Sequence, residues 1–67
     1  MTTEERADAT RAIEEILAHR AHLAHDERTF VHLMQRALES GRSVAPAELC
    51  MLDSIWDRVV REHTDAR

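Results

Sequence analysis

The sequence predicts an all-α protein, a small three-helix bundle whose second and third helices form a helical hairpin. Three observations carry this. Apolar residues recur at the 3.6-residue helical spacing in three stretches. The single Gly and the single Pro of the 67 residues stand together in Ser40-Gly41-Arg42-Ser43-Val44-Ala45-Pro46, where Gly41 suits a helix C-terminus and Pro46 the first turn of the next helix. The composition, 43% hydrophobic and 33% charged, is that of a folded domain rather than a disordered or collagen-like chain.

Helix 1 begins at Thr2 or Thr3, either of which can cap a first turn carrying Glu4, Glu5 and Asp8, since acids favour the positive end of a helix dipole. Ala9, Ala12, Ile13, Ile16, Leu17, Leu23 and Ala24 follow on one face, with Arg20 in the middle of that face. Helix 2 carries Phe30, Leu33, Met34, Ala37 and Leu38, a stripe about 160° wide with Val31 at its margin, wide enough for burial against two neighbours. Helix 3 carries Leu49, Leu52, Ile55, Trp56, Val59 and Val60, a stripe about 140° wide that ends near His63. Cys50, Ser54, Asp57 and Arg61 lie on its opposite side.

The join between helices 1 and 2 has no Gly or Pro, and the apolar series 16, 23, 30, 37 crosses it at heptad spacing. One alternative is therefore a long helix from Thr3 to Ser40, roughly 57 Å in length, paired with a shorter helix and dimerising. The favoured reading breaks the chain near residues 22–26 and restarts it at Asp26-Glu27, because an unbroken helix would set Arg20 and Glu27 in its seam.

The length predicts a single helical domain, residues 1–67, with a core small enough to make self-association an expectation. Thirteen acids oppose nine basic residues, all of them Arg, for a net charge of −4 spread along the chain. Direct nucleic-acid binding is not expected from such a balance, because phosphate neutralisation supplies most of that affinity. Cys50 is the single cysteine, so no disulfide and no Cys-based zinc site is built within one chain. With no leader-like opening and no apolar run near 20 residues, a cytoplasmic protein without membrane contact is expected.

From Leu23 to Val60 the chain reads Leu-Ala-His-Asp-Glu-Arg-Thr-Phe-Val-His-Leu-Met, then Leu38, Gly41, Val44-Ala45-Pro46-Ala47-Glu48-Leu49, Leu52, Ile55-Trp56 and Arg58-Val59. This resembles a short helical-hairpin module of phage and mobile-element proteins, in which a Leu-Ser-x-x-Glu-x-x-Phe opening precedes a Gly turn and a Leu-Ser-Pro-x-Gln opening. The anchors matched are Leu23, Glu27, Phe30, Gly41, Pro46, Leu52, Ile55 and Arg58, while Ala24 and Ala45 stand where the module has its capping serines. The resemblance implies a hairpin and a mobile-element origin, and it transfers no catalytic residue.

His19, His22 and His25, three residues apart, are the most metal-like constellation. They span about 120° of helix surface, so only adjacent pairs approach one cation, and no Cys or carboxylate clearly completes a tetrahedral set. A solvated face is the expected reading, with no metal and no cofactor. The i,i+4 pairs Arg11 with Glu15, Asp57 with Arg61 and Arg58 with Glu62 are expected to support their helices. No Gly-rich phosphate loop, nucleophile elbow or shielded carboxylate pair is legible, so an enzyme is not expected.

The functional expectation is binding: a small non-enzymatic module, a phage or mobile-element accessory protein that inhibits or adapts a bacterial complex such as a defence system. Its partner is a protein or a second copy of itself. The residues expected at the interface are Trp56 and Met51, an aromatic and a soft apolar anchor, with Arg20, Arg58 and Arg42. The competing class is a dimeric DNA-binding transcriptional regulator using Arg36, Arg42 and Arg58 on phosphates; the acidic Glu48, Asp53 and Asp57 of helix 3 oppose it.

Overall fold

A computed structural model describes residues 2–64 and bears out the all-α, three-helix reading. Helix α1 spans Thr3–Ala18, a single 3-10 turn spans Arg20–His22, and α2 spans His25–Glu39. Helix α3 spans Pro46–Trp56 and runs on through a π turn, Asp57–Arg61, into a last turn, Glu62–Thr64.

Each boundary has a local cause. Thr2 and Glu5 form a capping box: the Glu5 N–H donates to Thr2 Oγ1 at 3.1 Å and the Thr2 N–H to Glu5 Oε1 at 2.8 Å. At α2 and α3 the cap positions are the alanines Ala24 and Ala45, which have no side-chain oxygen to offer. The glutamate three residues on supplies the remaining half of the box, with Ala24 N–H to Glu27 Oε1 and Ala45 N–H to Glu48 Oε1 both at 2.9 Å. Pro46 adds a preset φ at the first position of α3.

The end of α2 is a Schellman motif. The Arg42 N–H donates to the Ala37 carbonyl at 2.9 Å and the Gly41 N–H to the Leu38 carbonyl at 3.1 Å. Gly41 adopts φ +83°, the left-handed conformation this motif demands. Arg6 from α1 then caps the exposed carbonyls, its guanidinium donating to Leu38 at 2.6 Å and to Arg42 at 2.8 Å. A cation there also complements the negative end of the α2 dipole.

The long-helix alternative is excluded, since roughly 57 Å of helix exceeds the 36 Å longest extent of the molecule. The chain leaves α1 after Ala18, and Leu23, in extended conformation (φ −93°, ψ 136°), drops its side chain into the core. This corrects the placement of Arg20. It lies in the 3-10 turn beyond α1, exposed, with its carbonyl accepting from Arg28 Nη2 at 3.2 Å, and so interrupts no apolar stripe.

Helix α1 is the central element. It packs against both α2 and α3, whereas α2 and α3 approach each other closely at few positions. Ala9, Ile13 and Ile16 of α1 meet Val31, Met34 and Leu38 of α2, and Leu52, Ile55, Val59 and Val60 of the third helix complete the core with Leu23 and Val44. The π turn brings the adjacent Val59 and Val60 both under cover.

Helix α2 is rotated from the orientation its stripe suggests. Val31, expected at the margin, is 0% exposed, while Leu33, expected inside, is 61% exposed. The buried arc is Val31, Met34 and Leu38, spaced i, i+3, i+7, with Phe30 and Ala37 half-buried beside it.

Candidate functional site

Because α1 separates the two arms of the hairpin, a groove of about 380 Å³ opens between the start of α2 and the middle of α3. Asp26, Glu27 and Phe30 form one wall; Cys50, Met51, Ser54 and Ile55 form the other. Met51 is 53% exposed and, with Leu33, is one of the large apolar side chains that the described residues leave in solvent. A second depression of about 310 Å³ lies farther along α2, lined by Leu33, Arg36, Ala37, Ser40 and Arg42.

Asp26, Phe30, Leu33 and Ala37 recur at i, i+4, i+7 and i+11 and therefore form one line along α2. The strip is acidic at its head (Asp26), apolar through its centre (Phe30, Leu33 and, across the groove, Met51) and basic at its foot (Arg36 and Arg42). The α3 side contributes no charge there, only Cys50, Met51, Ser54 and Ile55, with Ala47 sharing the face of the first three by spacing.

Glu27 ties the head of the groove together. Its Oε1 accepts from the Ala24 N–H and pairs with the Arg58 guanidinium, joining the start of α2 to the far end of α3. The Ala24 N–H first, and Arg58 after it, hold the Glu27 carboxyl below the usual glutamate range. With side chains 46% and 27% exposed for Arg58 and Glu27, the pair stabilises by up to about 1 kcal/mol. The Thr2 N–H acts on Glu5 in the same direction.

The residues picked out by sequence divide between structural and surface positions. Met51 stands on the groove and Arg42 at its basic foot. Arg58 is engaged by Glu27 and does not pair with Glu62 as its i,i+4 spacing suggests. Trp56 is half-buried against the core, and its Nε1–H donates to Glu15 Oε1 at 2.9 Å, which places Glu15 with Trp56 as its partner. Asp57 and Arg61 do form their predicted pair, at 3.7 Å. Arg20 is exposed in the 3-10 turn and lines neither depression of the strip.

The three histidines part company at the helix break. His19 Nδ1 donates to the Glu15 carbonyl at 3.0 Å, His22 stacks on His63 with ring centroids 3.8 Å apart, and His25 opens α2. Among the described residues no group of three or more His, Cys, Asp or Glu side chains is placed to hold a metal ion. No helix among them is long and apolar enough to cross a membrane.

Sequence reasoning passed over Phe30 and Leu33 as surface residues because they share a periodic stripe with Met34 and Leu38. The signal was the stripe's width, about 160°, which exceeds what one neighbouring helix covers. The chain matches no family model, no curated protein and no solved structure at a significant level.

Proposed function

We propose that this protein acts by binding another protein through the strip that Phe30, Leu33 and Met51 form along α2 and α3. The observation that carries the reading is the exposure of Leu33 (61%), on the same line of α2 as half-buried Phe30, and of Met51 (53%), which shares a groove with Phe30, in a domain whose other large apolar residues on α2 and α3 are buried or partly so. Clustered apolar side chains rimmed by charge are the usual make-up of an interface core and rim. The finer reading is a phage or mobile-element accessory protein that inhibits or adapts a bacterial complex, and it rests on the hairpin resemblance over residues 23–60.

The competing reading, a dimeric DNA-binding regulator, draws on Arg36 and Arg42, which share one depression. Arg58, its third expected phosphate contact, is already neutralised by Glu27. Affinity capture from a bacterial lysate, with and without nuclease, tests both. A stoichiometric protein that survives nuclease and is lost with Leu33→Asp supports docking through the strip. Capture that is nuclease-sensitive and indifferent to Leu33→Asp supports the regulator instead.

A further inference from the structure

We infer that the occupant of this strip is a second copy of the chain, laid antiparallel across a two-fold axis that passes between Phe30 and Leu33. The inference rests on the reading of the strip as a docking surface and names its partner.

The argument is the polarity of the strip. Along α2 the exposed line runs from Asp26 through Phe30 and Leu33 to Ala37, with Arg36 and Arg42 flanking its foot. A two-fold axis at the midpoint of that line sets Phe30 of one copy against Leu33 of the other. It also sets the acidic head, Asp26, opposite the partner copy's basic foot at Arg36. A parallel arrangement would instead place acid on acid and Arg on Arg, so the charge pattern selects one orientation. An isologous contact needs a patch that is its own complement, and here Asp26 and Arg36 stand on opposite sides of the apolar centre, each between one and two helical turns from it.

The α3 side of the strip agrees. Met51, which faces Phe30 across the groove, is brought against its own symmetry mate by the same axis, with neutral Cys50 and Ser54 beside it on α3 and no α3 charge to desolvate. Soft methionine side chains accommodate such self-contact.

Size sets the strength. The fifteen residues of α2 extend about 22 Å, and two neighbouring helices make a face about 20 Å wide. That is about 440 Å² per partner, roughly half the about 800 Å² of a standard stable interface, which places the contact among weak, transient associations. The chain exposes 4846 Å², so the strip is about a tenth of its surface, and the association is reversible with a concentration-dependent mass.

Sedimentation equilibrium of the full chain across low to high micromolar concentration reads this directly. The expected result is a mass rising from 7.7 kDa towards twice that value. Leu33→Asp is expected to weaken association roughly a hundredfold. Asp26→Arg and Arg36→Asp are each expected to weaken it roughly tenfold, and the double reversal to restore it to within about threefold, because each copy then again presents opposite charges to the other. Circular dichroism of every variant checks that the helices are kept, and Leu33, being exposed, has no core role whose loss would mimic the effect. A monomer at all concentrations, or a double reversal no better than the single variants, overturns the inference. If that monomer still loses its lysate partner on Leu33→Asp, the docking reading stands with a different protein on the strip; if capture is unchanged, both fail.

Discussion

Replacing Val31 and Leu33 by alanine, one at a time, separates two orientations of α2 that its sequence allows. The two positions are two residues apart, yet one is 0% and the other 61% exposed. Val31→Ala deletes two buried methyl groups, about 1.6 kcal/mol at about 0.8 each. An unrelaxed cavity adds up to about 1 kcal/mol, and the higher helix propensity of alanine offsets about half a kcal/mol. The net loss is about 2 kcal/mol out of a total stability of about 3–10 kcal/mol for a chain of this length. That lowers the melting midpoint by about 10 °C. Leu33→Ala removes atoms already in water and substitutes a residue of similar helix propensity, so the change stays within about 0.5 kcal/mol.

Urea unfolding followed by far-ultraviolet circular dichroism measures both, and protein concentration is the control. Self-association adds to the apparent stability of the parent only as concentration rises. At the lowest concentration Leu33→Ala should match the parent, and at high concentration it should fall behind. A Leu33→Ala loss as large as that of Val31→Ala in dilute solution would refute the assigned rotation of α2.

Three further outcomes follow from the boundaries of the helices. Gly41→Ala forces φ +83° on a residue with a Cβ and should cost about 1–2 kcal/mol, although nothing stands within 4 Å of the added atom; scanning calorimetry should show Gly41→Asn less affected, and an alanine variant as stable as the parent contradicts the motif. Arg6→Ala removes both guanidinium bonds to the end of α2 and should cost about 1 kcal/mol; amide exchange should speed at Gly41 and Arg42 first, and uniform or absent change argues against capping by Arg6. For Glu27 the folded carboxyl titrates below the unfolded one, so its contribution is complete above the unfolded glutamate range and is lost as pH falls through the folded value. Glu27→Gln should therefore lower stability near neutral pH and flatten the acid limb of the stability profile, whereas an unchanged acid limb removes Glu27 from that role.

Periodicity and punctuation made most of the fold legible. Gly41 and Pro46 located the second turn because each has a backbone requirement that few other residues meet. The first turn was legible only as a conflict, Arg20 and Glu27 falling in the seam of an otherwise continuous heptad series, and the structure resolves it by leaving α1 at Ala18. Long-range polar partners were not legible, because nothing local distinguishes Glu15 as acceptor for Trp56 from Glu15 as an i,i+4 partner of Arg11, or Arg58 facing Glu27 from Arg58 facing Glu62. Of the strip, Met51 was visible as a soft apolar residue outside the stripe of its helix. Leu33 was hidden inside one, since a stripe reports that residues are apolar and aligned, not which part of the arc the neighbouring helix covers.

The exposure of Leu33 follows from how three such helices pack. With α1 in the middle, α2 has one close neighbour instead of two, and a single neighbour covers only part of a stripe about 160° wide. Rotating α2 far enough to bury Leu33, about 100° or one residue of phase, would draw Phe30 and Ala37 inward but expel Val31 and Leu38, which lie at 0% and 7% exposure. The observed phase keeps the pair that α1 can reach, leaves Phe30 on the gap between α2 and α3 and leaves Leu33 in solvent on the outer side of α2. The Glu27–Arg58 pair closes only the head of that gap. The same geometry that completes the monomer's core therefore assembles an apolar strip with charge of opposite sign at its two ends. None of the described residues covers Leu33 or Met51.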